Sequence, residues 1–184
     1  TNKAYLFGDA TLRATTGNIA FIADIVEPWT NYTGNLTFST NGTVNLASTS
    51  GNYCGTCTLG GAASGSDFVG AGTLANIKIA NMFVANSSVA HPASLVIGRY
   101  TGTGLSGDTV YSFGNTGNIT VNGTLQSVSA SATPYTNIVL NAANVNITGN
   151  LGSAGGVTIN TAGNVTQTAG SSASLIYAFN GGNV

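Results

Sequence analysis

The sequence predicts an all-β fold, with a right-handed parallel β-solenoid favoured and an antiparallel, strand-complemented β-sandwich as the alternative. Three observations carry this. Apolar and polar residues alternate with a period of two along most of the chain, the signature of strands with one buried face. No helical stripe of useful length occurs, and the strong helix formers are scarce. Short strand-like segments also recur at a near-constant interval, on the scale of a solenoid coil.

Taken in order, Leu36-Thr-Phe38 and Val44-Asn-Leu46 alternate first, then Ile77-Lys-Ile79, Ile119-Thr-Val121 and Ile138-Val-Leu140. Val145-Asn-Ile147 and Val157-Thr-Ile159 complete the set. Gly, Asn or Ser bounds each run, as expected of short strands between turns. The tetrapeptides starting at Ile119, Ile138 and Val157 are evenly spaced, with the same interval twice in succession. Second strands at Asn144–Thr148 and Asn164–Thr168 follow at nearly the same step. Leu36-Thr-Phe-Ser-Thr-Asn-Gly-Thr-Val44 also resembles Val157-Thr-Ile-Asn-Thr-Ala-Gly-Asn-Val165. Asn after a strand suits a corner, and stacked Asn side chains can form ladders. The reading is one domain over 1–184, with the clearest repeats at 117–170 and an irregular stretch at 53–113.

Composition narrows the function classes. Only 5% of the residues are charged, against 42% hydrophobic, with a net charge of -1. That balance argues for a folded chain rather than a disordered one. The exterior must be built from uncharged polar groups, and the chain has 26 Thr, 22 Asn and 26 Gly. Lys3, Arg13, Lys78 and Arg99 are scattered, which argues against a nucleic-acid partner. The longest apolar run, Ile19–Ala23, is far shorter than a membrane span. The chain begins at Thr1, so a removed signal peptide or a longer parent protein is expected.

The run NIVLNAANVNITGNLGSAGGVTINTAGNVTQTAG at 137–170 resembles the repeats of filamentous-haemagglutinin-like adhesins of the two-partner secretion pathway. The runs at 9–19 and 35–47 are similar in style; 53–113 is not, and the chain is far shorter than members of that family. The resemblance implies a right-handed parallel β-helix, a prokaryotic cell surface and adhesion. It offers no catalytic residues to carry over.

The individual motifs point the same way. Cys54-Gly-Thr-Cys57 lies in a β-turn context, where a structural disulfide in an oxidising compartment is the expected reading and redox chemistry is disfavoured. N-x-[ST] sequons begin at Asn31, Asn35, Asn41, Asn86, Asn118, Asn122, Asn146 and Asn164. They read either as glycan acceptors on a secreted surface or as corner Asn followed by strand Thr. The carboxylates Asp9, Asp24, Glu27, Asp67 and Asp108 offer no obvious catalytic pair, and a calcium site at Asp24/Glu27 or Asp67 lacks nameable ligands. His91 precedes Pro92 in a turn, with no nucleophile elbow to serve.

Trp29, in the aromatic insertion Glu27–Tyr32, is a core plug or a contact residue. Tyr5, Leu6 and Phe7 near one terminus and Leu175, Ile176 and Tyr177 near the other are candidate subunit contacts. The functional expectation is a non-enzymatic structural or adhesive protein of an extracellular, prokaryotic cell surface, without cofactor or metal. It is a shaft segment of an adhesin or a filament subunit that assembles by strand addition or end-to-end stacking. Its partners are copies of itself, adjoining segments of a longer adhesin, or host and environmental surface ligands. The alternatives are a carbohydrate-acting β-helix enzyme and an ice-binding solenoid. The latter needs a repeating Thr-x-Thr array, and Thr56-Cys-Thr58 and Thr101-Gly-Thr103 read as isolated.

Overall fold

The computed structural model describes residues 3–6, 10–22, 25–28, 36–47, 56–59, 93–103, 110–114, 117–121, 124–127, 137–153, 155–168, 176–178 and 184. Within them the regular structure is all β. The first six strands are β1 (Lys3–Leu6), β2 (Ala10–Arg13), β3 (Ile19–Ile22), β4 (Ile25–Pro28), β5 (Leu36–Ser39) and β6 (Thr43–Ala47). Next come β7 (Thr56–Leu59), β8 (Ser94–Ile97), β9 (Arg99–Thr103), β10 (Val110–Gly114), β11 (Asn118–Val121) and β12 (Thr124–Ser127). The last six are β13 (Asn137–Ala142), β14 (Asn144–Ile147), β15 (Asn150–Ser153), β16 (Val157–Thr161), β17 (Val165–Gln167) and β18 (Ile176–Ala178). The strand expected at Ile77–Ile79 lies outside the described residues.

Among the described residues, every sheet but the two-stranded β9–β10 pair is parallel. A five-stranded sheet runs β16-β13-β8-β6-β3, a four-stranded sheet β17-β14-β11-β7, and a three-stranded sheet β12-β15-β18. Two further parallel pairs are β1-β4 and β2-β5. Parallel neighbours need a crossover between them, and here the crossover consists of strands belonging to the other sheets. From β11 to β18 the chain visits the four-, three- and five-stranded sheets in that order, again and again. Among the described residues, the antiparallel order expected of a sandwich occurs only in the β9–β10 pair, inside the stretch that reads as irregular in the sequence. Gly98, at φ 89°, turns the chain from β8 into β9, and its N–H donates to the Leu46 carbonyl at 2.8 Å. That positive φ suits glycine and few other residues.

The alternation read from the sequence sets the burial. Val44, Leu95, Ile138 and Val157 share one register position of the five-stranded sheet and are all buried. Leu46, Ile97 and Leu140 share another and are 0% exposed. Ile119, Val121, Val145 and Ile147 of the four-stranded sheet and Leu151 of the three-stranded sheet join the same core. Phe21 of β3 meets Phe38 of β5 edge to face, with centroids 5.7 Å apart, so side chains from two different sheets close over one interior.

Register corrects one sequence expectation. Ile138 and Val157 are neighbours, at the step read from the sequence. Ile119 does not continue that row: it pairs with Val145 and Cys57 in the four-stranded sheet, and Leu95 is the neighbour of Ile138 on the other side. Alternation marks a strand but carries no label for the sheet it joins. The pairing of Val145 with Val165 is again the one read from the sequence.

Candidate functional site: corner clasps and amide ranks

At three corners a short polar segment grips an asparagine of the preceding stacked strand or turn. In Thr40-Asn41-Gly42-Thr43, the Thr40 hydroxyl donates to the Gly17 carbonyl at 2.5 Å. The Gly42 N–H donates back to the Thr40 hydroxyl at 3.0 Å, and the Thr43 N–H donates to Asn18 Oδ1 at 2.8 Å. Thr161-Ala162-Gly163-Asn164 repeats every bond. Thr161 donates to the Ala143 carbonyl at 2.5 Å, Gly163 N–H to the Thr161 hydroxyl at 3.1 Å, and Asn164 N–H to Asn144 Oδ1 at 2.9 Å. At the third corner Gly155 N–H donates to Ser153 Oγ at 3.0 Å and Gly156 N–H to Asn137 Oδ1 at 2.7 Å.

The physical reason is satisfaction of backbone donors at a turn where no ladder can reach them. The glycine is required by space rather than by φ. A Cβ on Gly42 would run into the Gly17 carbonyl and Asn18 Oδ1, and one on Gly163 into Asn144 Oδ1 and the Ala143 carbonyl. The likeness of 36–44 to 157–165, which reads as a solenoid repeat in the sequence, is that of the clasp. The first instance joins β5 to β6 and the second joins β16 to β17, so they sit between different pairs of sheets.

Asparagine also links strands by side chain. Asn144 Nδ2 donates to Asn118 Oδ1 at 2.8 Å, Asn160 Nδ2 to Asn141 Oδ1 at 3.0 Å, and Asn141 Nδ2 to the Ile97 carbonyl at 3.2 Å. In the four-stranded sheet, Asn118, Asn144 and Thr56 share one register position. Thr58, Thr120, Asn146 and Thr166 share the next but one. Thr56-Cys57-Thr58 stands in register with Asn118-Ile119-Thr120, so Thr58 has a threonine beside it and Thr56 an asparagine, and the Thr-x-Thr pair does not repeat on the next strand. Asn146 is half-buried there, and its Oδ1 has no hydrogen-bond partner.

The sequons divide accordingly. Asn41 and Asn164 are exposed members of clasps, Asn118 and Asn146 stand in the ranks, and Asn31, Asn35, Asn86 and Asn122 lie outside the described residues. Cys54 also lies outside them, and Cys57 is at a register position beside Ile119. Of the subunit-contact candidates, Tyr5 and Leu6 belong to β1, and Ile176 and Tyr177 to β18. Ile176 packs on the core. Phe7, Trp29 and Leu175 lie outside the described residues, as do His91 and every carboxylate but Glu27.

Among the described residues there is no group of three His, Cys, Asp or Glu side chains placed to hold a metal ion, and no helix long and apolar enough to cross a membrane. No protein-family model matches the sequence, and no curated protein or solved structure matches it either.

Proposed function

We propose that this chain is a β-solenoid whose role is structural or adhesive at a prokaryotic cell exterior, as a shaft segment or filament subunit rather than an enzyme. The observation that carries the solenoid reading is pairing at a fixed strand interval. Eight of the strand pairs join a strand to the third strand after it, from β1–β4, β2–β5 and β3–β6 through to β14–β17 and β15–β18. A chain wound through three strands per coil gives that interval, and stacked coils share one core. The surface role rests on composition and on the clasps: an exterior of hydroxyls and amides, bonded coil to coil, is a scaffold that needs few charges. Cys54–Cys57 as a disulfide and glycans on the exposed Asn41 and Asn164 belong to the same reading.

The test is immunogold labelling of intact source cells, with small-angle scattering on the purified chain. External label and an elongated particle are expected. Label confined to permeabilised cells overturns the surface role, and a near-spherical particle overturns the solenoid.

A second reading is favoured by one observation, the register of Thr56/Thr58, Asn118/Thr120, Asn144/Asn146 and Thr166 on the four-stranded sheet. Neighbouring strands repeat every ~4.8 Å, so the exposed Asn118 and Thr166 and the half-buried Thr120 and Asn144 would offer uncharged donors and acceptors to ordered water at an ice face. Inhibition of ice recrystallisation by the purified chain, lost in Thr120→Lys, is the result this reading requires. An unaltered ice grain size removes it.

A further inference from the structure

We infer that the two ends of the strand stack are halves of one contact, so that a second copy of the chain docks head to tail with its β3 beside β16. This rests on the solenoid reading above and adds the partner and the register.

Rows of buried side chains run out at both ends of the stack. In the four-stranded sheet Ile119 is 0% exposed and Val145 1%, yet Val165, next in the same row, is 47% exposed. In the five-stranded sheet Leu140 is fully buried, while Ile159 beyond it is only half-buried. The opposite end mirrors this. Leu12 is 37% exposed beside the fully buried Phe38, and Ile19 and Phe21 are half-buried beside Val44 and Leu46. These side chains stand in register with buried residues, and among the described residues no further strand lies beyond them.

Among the described residues, the five-stranded sheet has β3 at one edge and β16 at the other. Every strand in it is parallel, so a copy added in the same sense continues the sheet, and β3 is the edge that meets β16. Carrying the observed register one step further sets Ile19 on Val157 and Phe21 on Ile159. Apolar meets apolar at both positions, as in each internal step of the sheet. Neither β3 nor β16 contains a Lys, Arg, Asp or Glu, the residues that ordinarily guard a strand edge against pairing. A heterologous contact of this kind does not close on itself and gives a filament.

The experiment uses two variants at exposed positions, chosen to leave the fold intact: Val165→Lys at one end and Leu12→Lys at the other. Sedimentation velocity over a wide concentration range reads the assembly, and circular dichroism and thermal melting confirm that each variant is folded. The wild-type chain should form concentration-dependent polymers. Each variant alone should be monomeric, and an equimolar mixture should give a dimer and nothing larger, because one intact end of each remains. A wild-type chain that stays monomeric overturns the contact, as do folded variants that polymerise like the wild type. Either failure leaves the elongated particle and the external label untouched, so the structural reading falls only on its own tests.

Discussion

Residues 137–168 and residues 10–47 build the same corner with different lengths of chain between the stacked strands. In the first block Ile138 stacks on Val157 and Val145 on Val165, and the clasp bonds accepted by Asn137 and Asn144 span 19 and 20 positions of the chain. In the second, Ile19 stacks on Val44, and the corresponding bond of Asn18 spans 25. Even so, the clasp of Thr161, Gly163 and Asn164 on Ala143 and Asn144 has the same bonds as that of Thr40, Gly42 and Thr43 on Gly17 and Asn18. The difference teaches that register is fixed at the corners and not by a constant period. The chain between corners can lengthen because closing a somewhat longer loop adds little entropic cost.

The blocks differ in where they sit in the stack, and substitutions separate position from chemistry. The largest effect is expected in the middle of the five-stranded sheet. Leu140→Ala should cost about 2–5 kcal/mol in urea unfolding, the range for a fully buried leucine. Ile159→Ala, one strand further out in the same row, should cost about 1 kcal/mol, since it is only partly withdrawn from solvent. Equal losses at the two sites would mean that β16 is covered and the end of the stack lies elsewhere.

Next in size are the clasp glycines. Gly42→Ala and Gly163→Ala should each lose about 1–3 kcal/mol, because the new methyl group meets backbone carbonyl oxygen in both. Similar values despite the different lengths of chain between corners would sharpen the comparison, and a neutral Gly42→Ala would break it. The smallest effect is in the asparagines beneath the clasps. Asn18→Ala should cost about 1 kcal/mol and Asn144→Ala about 1–2 kcal/mol, the latter because Asn144 also donates to Asn118. The reverse order in a denaturant titration would show that the amide ladder adds nothing.

The strands at 138–140, 145–147 and 157–159 were legible in the sequence because inward and outward residues alternate on a pleated backbone, whatever the sheet. The place of Ile119 was not, since its alternation is the same whether it joins Ile138 or Val145. The clasp left a trace in the sequence, a Thr two positions before a Gly, but its meaning was hidden. The asparagine it grips lies far back along the chain, at a separation of 20 in one case and 25 in the other. The ranks of Thr56 and Thr58 over Asn118 and Thr120 were hidden by the long run of chain between β7 and β11.

By itself, then, the sequence determined the local terms: short strands, one apolar face to each, uncharged polar turns, and an exterior with almost no ionic contribution. These follow from side-chain size, polarity and backbone preference, which act over a few residues. Tertiary structure decided which strands became neighbours, which asparagines were gripped, and which core rows ended in exposed Val165 and Leu12. Those outcomes depend on hydrogen bonds and burial between segments far apart in the chain, and no local pattern encodes a partner at that distance.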